Sequence, residues 1–196
     1  YAVAGMVVYK DGVPSKKDYR KYKIKTVEGP DDYASMKEVI YRRYYRLLME
    51  QKEMADLIIV DGGLGQIKVA KEVIDGLNLP VHICGLSKDD KHSTAMLLDE
   101  NGNQVPIDTK SPLFFLLTRM QDEVHRYAIS FHRQVRSKSL FSSILDEVDG
   151  IGEARKKRLL NHFKSVKKMK EASLEELEAV IPKNTALKLY EVLHKE

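Results

Sequence analysis

Four apolar residues, Leu57, Ile58, Ile59 and Val60, run without alternation into Asp61 and then into Gly62, Gly63, Leu64 and Gly65. A short unbroken apolar run reads as a strand buried on both faces. Beyond it, Ile67, Val69, Ala70, Val73, Ile74 and Leu77 recur at helical spacing, which predicts a helix over residues 66–76. Asp61 is thus expected where a central strand ends and a helix begins, the edge at which open α/β sheets bind ligands and metals. A carboxylate there is a candidate metal ligand or acid/base group, and equally a candidate cap for the turn or helix that follows.

Elsewhere the pattern alternates between strand and helix periods. Residues 2–9 are apolar and β-prone, 10–14 form a turn around Asp11-Gly12, and 18–26 resume an alternating strand. This predicts a hairpin with Lys and Tyr on one face. Gly29-Pro30 breaks the strand, and Asp31 or Asp32 can cap a helix running to about residue 51. Its buried stripe is expected at Met36, Val39, Ile40, Leu47 and Leu48. The run Tyr41-Arg42-Arg43-Tyr44-Tyr45-Arg46 suits phosphate contacts backed by stacking, or a helix surface with snorkelling arginines. A strand is expected over 81–86, a charged loop at Ser87-Lys88-Asp89-Asp90-Lys91-His92, and a hairpin from Thr94 to Ile107 around Asn101-Gly102. Ser111-Pro112 opens a long helix over residues 113–137, with its stripe at Leu113, Leu116, Leu117, Met120, Val124, Ala128 and Ile129. Asp122, His125 and His132 can share one of its faces. His125 there fits a functional group or an ordinary surface position.

From Leu140 onward strand signals disappear, and a domain boundary is expected at residues 138–141. Val148-Asp149-Gly150-Ile151-Gly152 between two short helices has the form of a helix-hairpin-helix turn. Its glycines can expose successive backbone amides beside a helix N-terminus, where a phosphate can bind. Arg155, Lys156, Lys157 and Arg158 follow at once and add charge that favours DNA over a plain glycine turn. Residues 174–194 repeat the rhythm around Ile181-Pro182-Lys183-Asn184, without the Gly-x-Gly. That second hairpin is expected to grip phosphate less well, or to serve mainly in packing against the first. Ser173 and Glu176 have capping-box spacing.

Composition narrows the class. Hydrophobic content of 43% and charged content of 32% over 196 residues fit a globular chain with one substantial core and a small second domain. No apolar run reaches membrane-spanning length, so no membrane association is expected. The single cysteine, Cys84, leaves no internal disulfide and fits a cytoplasmic setting. The net charge of +4 is small, but its basic clusters favour an anionic partner. The opening Tyr1-Ala2-Val3-Ala4 is mid-strand in character, as in a piece of a longer protein.

Six stretches, in order, carry a resemblance. They are Gly29-Pro30-Asp31-Asp32-Tyr33-Ala34-Ser35-Met36, Tyr41-Arg42-Arg43-Tyr44, Ile59-Val60-Asp61-Gly62-Gly63-Leu64-Gly65-Gln66, Gln121-Asp122-Glu123-Val124-His125-Arg126-Tyr127-Ala128, His132-Arg133 and Asp149-Gly150-Ile151-Gly152. The chain resembles the C-terminal half of the UvrC family, nuclease subunits of bacterial nucleotide-excision repair. The resemblance implies an α/β RNase H-like endonuclease domain over residues 1–138, a mixed sheet flanked by helices with its first strand missing. A small all-α tandem helix-hairpin-helix domain is implied over 141–196. The implied activity is the 5′ incision beside a lesion by metal-assisted hydrolysis with Mg²⁺ or Mn²⁺. Damaged double-stranded DNA is the implied substrate, and UvrB the partner, with UvrA acting earlier.

By the same resemblance Asp61 is a metal ligand, and His125 a ligand or proton-transfer group. Asp32 has a supporting role in the activity. A further catalytic Asp, in a Phe/Tyr-Asp-x-Ser/Ala-His stretch, is expected before Tyr1, so poor activity is expected of this fragment. Gly62, Gly63 and Gly65 are expected to keep the approach clear and Gln66 to orient the site. Arg42, Arg43, Arg126 and Arg133 are candidate phosphate contacts. A non-catalytic DNA-binding module, a docking scaffold for repair proteins, and another RNase H-like enzyme such as a transposase are the competing readings.

Overall fold

The computed structural model describes residues 2–88 and 95–195. The expected loop residues Asp89, Asp90, Lys91 and His92, and Thr94 of the expected hairpin, lie outside them. The chain divides into two compact units, Tyr1–Phe131 and His132–Glu196.

The first unit opens with β1 (Val3–Met6) paired antiparallel to β4 (Arg20–Lys23), with a small hairpin of β2 (Tyr9–Lys10) and β3 (Val13–Pro14) between them. Lys21, Lys23 and Lys25 face water while Ile24 is buried, as the alternation predicts. Tyr19 departs from it. A 3₁₀ turn at Lys16–Asp18 precedes it, and Tyr19 turns inward to 9% exposure.

Helix α1 (Asp32–Met49) is capped by Asp31, whose carboxylate accepts the Ala34 N–H at 3.0 Å. Asp32 is therefore the first helical residue and not the cap. The buried stripe holds Val39, Ile40 and Leu47, but Leu48 is exposed and Tyr44 is buried in its place. At 3.6 residues per turn each step of four drifts by about 40°, so Tyr44 stays over the stripe of Ile40 and Leu47 while Leu48, two steps from Ile40, has drifted to its edge. Tyr41 and Tyr45 stack on the water side, ring centroids 5.4 Å apart.

A mixed four-stranded sheet follows, in the order β5 (Leu57–Asp61), β6 (His82–Lys88), β7 (Ala95–Leu98), β8 (Gln104–Val105). β5 and β6 are parallel, with α2 (Leu64–Gly76) as the crossover between them; the other pairings are antiparallel. β5 is thus an edge strand among the described residues, not a central one, and only Val60 of its five residues is fully buried. Alternation along the strand explains why. Ile58 and Val60 join the core beneath α1 and α2, with Ile67, Ala70, Val73 and Ile74, while Leu57, Ile59 and Asp61 lie on the other face. In the β7–β8 turn, Asp99 Oδ1 accepts the N–H groups of Asn101 and Asn103, and Gly102 takes φ +81°.

Helix α3 starts as expected, at Pro112, with the Ser111 hydroxyl accepting the Phe114 N–H. It does not stop near residue 137. It runs unbroken to Asp146, through residues 138–141 and into the first of the two short helices expected on either side of the Val148–Gly152 turn. Ser137-Lys138-Ser139 holds no Gly or Pro, and weak helix formers alone do not end a helix. Leu113 and Ile129, expected in the apolar stripe, are exposed.

The second unit closes with α4 (Glu153–Phe163), α5 (Val166–Glu171), α6 (Leu174–Glu178) and α7 (Lys183–Leu193). Ser165 and Ser173 cap α5 and α6 by accepting the N–H groups of Lys168 and Glu176. The core joins Phe141 and Leu145 to Leu159, Phe163, Met169, Leu177, Ile181 and Leu189. Two arms of this unit repeat at an offset of thirty residues. Ile151, Leu159 and Phe163 of the first correspond to Ile181, Leu189 and Leu193 of the second, and all six are buried. The start of each helix matches too: Gly152 accepts the Lys156 N–H as Pro182 accepts that of Ala186.

Candidate active site and nucleic-acid interface

In the first unit, β5 delivers Asp61 to the strand end. Its backbone is pinned there by the Gly62 N–H, which donates to Leu86 O of β6 at 2.8 Å. Two residues of α3, one helical turn apart, reach the carboxylate. Gln121 Nε2 donates to Oδ1 at 3.1 Å, and His125 Nε2 stands 2.5 Å from Oδ2. The side chains of Asp61 and His125 are 42% and 46% exposed, so the pair opens to water. Gln121 beneath them is 7% exposed.

Of the three glycines after Asp61, Gly62 and Gly65 allow close packing and Gly63 does not need to. A Cβ on Gly62 would lie 2.5 Å from the Gln66 side chain, which folds back so that its Oε1 accepts the Gly63 N–H at 3.0 Å. Gln66 therefore closes the first turn of α2, as residues three into a helix commonly do. Gly65 lies under the Tyr33 ring, where a Cβ would come within 2.6 Å. Gly63 has open space around its missing side chain. Asp32, beside Tyr33, makes no hydrogen bond or ion pair with Asp61 or His125 in the structure.

The α3 turn that carries Gln121 and His125 is braced from β1 and from Tyr19, the residue just before β4. Tyr19 donates to Glu123 at 3.1 Å, and Tyr127 packs edge-on to Tyr19 and close over Gly5. Burial first, and then the Glu123 carboxylate, push the Tyr19 phenol up to about 12. Arg126, which donates twice to Glu123, holds that carboxyl below its usual range.

Arg42 is likewise engaged. It donates to Glu38 and to the Lys23 carbonyl and lies 5.0 Å from the Tyr22 ring centroid. Glu38 itself is buried. Burial opposes its ionisation, but the hydroxyl and N–H of Thr26, the N–H of Lys25 and Arg42 outweigh this and hold it at about 2. Arg42 and Arg126 thus have structural partners, while Arg43 is half-buried on α1 and Arg133 is exposed on α3.

Gln121, Glu38 and Gly85 are residues the sequence reading did not select. The first had a legible signal, since it precedes His125 by one helical turn. Glu38 looked like one more surface acid on an amphipathic helix. Gly85 lies inside a strand, and a Cβ there would meet Gly62 O at 2.7 Å.

Which metal the site could hold follows from its donors. Asp61 offers carboxylate oxygens and His125 an imidazole nitrogen. Among the described residues no group of three or more His, Cys, Asp or Glu side chains comes together. The Asp61 oxygens could hold a hard ion that keeps several waters, whereas the His125 nitrogen is a donor that Mg²⁺ disfavours and a transition-metal ion accepts more readily.

In the second unit the hairpin Val148–Gly152 turns at Gly150, with φ +91°. Arg155 Nη1 donates to Gly150 O at 2.5 Å and so stitches the turn to α4. Lys156 is mostly covered and pairs with Asp146 and Glu153, so it secures α4 to the end of α3. Lys157 and Arg158 are exposed. Charge is divided unevenly: residues 132–196 hold fourteen Lys and Arg against ten Asp and Glu, whereas residues 1–131 hold nineteen of each. The whole net charge of +4 therefore resides in the second unit. No helix of the described residues is long and apolar enough to cross a membrane.

Comparison with known families agrees with both units. A family model described as a SAM-like helix-hairpin-helix tandem matches residues 142–195. A second, described as the UvrC RNase H endonuclease domain, matches residues 1–129. With an RNase H-like mixed sheet and flanking helices ahead of a helix-hairpin-helix tandem, the chain belongs to the UvrC endonuclease family.

Proposed function

We propose that this chain makes the 5′ incision in damaged double-stranded DNA during nucleotide-excision repair, by metal-assisted phosphodiester hydrolysis. The observation that carries the reading is the meeting of Asp61 and His125, from β5 and α3, at an open strand end. Asp61 and His125 would hold a divalent ion, Mg²⁺ or Mn²⁺. When bound, such an ion lowers the pKa of a coordinated water and offsets charge on the leaving oxygen. Asp61 supplies the negative charge that holds a cation next to the scissile phosphate. His125 presents a nitrogen at which a proton can be held or passed on. In this reading Asp32, the first residue of α1, has a supporting role.

The second unit grips the substrate. Amides of the Val148–Gly152 turn and the exposed Lys157 and Arg158 contact phosphates without reading sequence. Arg133 and Arg43 add phosphate contacts. UvrB is the partner that delivers the chain to the lesion, with UvrA acting earlier, and the setting is the cytoplasm. A non-catalytic DNA-binding role draws support from one observation, that only two protein ligands meet at Asp61 among the described residues. On that ground weak nicking is expected of this chain by itself.

Asp61→Asn tests the reading. Nicking of lesion-containing duplex in Mn²⁺ should fall at least about a hundredfold, a loss in the range of key catalytic electrostatic groups, while DNA affinity stays within about twofold. Equal nicking by Asp61→Asn and the parent would overturn it.

A further inference from the structure

Gln121 is the least exposed polar residue at the site. We infer that Gln121 is a positioning residue for Asp61: its buried amide fixes the carboxylate so that one oxygen is held from within and the other faces His125. The inference rests on the reading of Asp61 as a cation-holding group.

Four observations converge on it. First, Gln121 is 7% exposed as a residue, and a donor on a buried side chain left without a partner is unfavourable, so the bond to Oδ1 at 3.1 Å is one the fold has reason to keep. Second, the strand end fixes only the backbone of Asp61, through the Gly62 N–H and Leu86 O. Rotation about the carboxylate's own bond is left to side-chain contacts, and Gln121 and His125 take one oxygen each. Third, the two lie one turn apart on α3, so their spacing is set by the helix and not by a loop. Fourth, the turn is itself held by Tyr19 on Glu123 and by Tyr127 over Gly5.

The chemistry of the donor matters. An arginine or lysine at position 121 would also fix Asp61, but would cancel the charge that attracts a cation. A glutamate would repel the carboxylate. A neutral amide donates at every pH and leaves the full negative charge at the open edge. Partners of this kind commonly set ligand orientation and affinity.

The test uses Gln121→Met, which keeps length and removes the donor. Mn²⁺ affinity, measured by calorimetry, should fall about tenfold or more. Nicking should drop at low Mn²⁺ and recover as Mn²⁺ is raised, with metal-free thermal unfolding close to that of the parent. Unchanged Mn²⁺ affinity in Gln121→Met would overturn the inference. If the parent binds no Mn²⁺, the metal reading of Asp61 fails, and crystal structures of metal-free parent and variant decide the positioning role. A turned Asp61 carboxylate in Gln121→Met supports it; the parent's orientation in both overturns it.

Discussion

Gly85 lies so close to Gly62 that a single methyl group at position 85 would come within 2.7 Å of the Gly62 carbonyl oxygen, and within 2.8 Å of Ile67 as well. The first neighbour is backbone, and it belongs to the loop that begins at Asp61. Gly85→Ala should therefore push that loop outward, at a cost of about 1–3 kcal/mol for overpacking. Urea unfolding should show the loss of stability. Nicking should fall with it, because the carboxylate moves relative to His125.

Glu38 sets a pH dependence. Its folded pKa, about 2, lies below the ordinary 4.5, so its ionised form is stabilised by folding. That contribution is present above about pH 4.5 and is lost as the pH falls toward 2. The first unit should lose on the order of 2 kcal/mol over that window. Glu38→Gln should be less stable than the parent at pH 7 and should show a flatter decline on acidification, read by denaturant melts at successive pH values.

In the second unit, neighbouring lysines should behave differently. Lys157→Glu with Arg158→Glu should weaken DNA binding across all sequences and flatten its salt dependence, by a slope of about 1 for each phosphate that the two cations had neutralised. Lys156→Ala should instead lower the unit's melting temperature, because Lys156 holds Asp146. Equal effects of the two changes on DNA affinity, with no change in melting, would contradict this assignment.

Leu159 and Leu189 are fully buried at equivalent places in the two arms of that unit. Leu159→Ala and Leu189→Ala should each destabilise it by about 2–5 kcal/mol. Because both side chains line one core, the double variant should depart from additivity, which a double-mutant cycle in denaturant would measure.

Much of the architecture was legible. Helices α1 and α2, the β7–β8 turn and the start of α3 each combine a period with a local cap or turn residue, and local signals agree with the fold. Asp61 and His125 were legible as individuals, through strand-end position and through resemblance. That they meet was implied by the resemblance alone, since sixty-four residues separate them and no periodicity relates α3 to the end of β5. Tertiary partners also decided the rest. Leu57 to Val60 read as a central strand because the apolar run is continuous, yet pairing, not hydrophobicity, determines whether a strand is at an edge. Arg42, Arg126 and Lys156 read as candidate phosphate contacts from their charge; the carboxylates folded against them were not legible in the sequence.

The match between Gly152 and Pro182 at the starts of α4 and α7 has a consequence for grip. Both residues supply the carbonyl that begins their helix, so the interior treats them alike. Only glycine also carries an amide hydrogen. The two arms are thus twins in how they fold and unequal in what they can offer an oxyanion, and a duplex lying along both would be anchored at one end and steadied at the other.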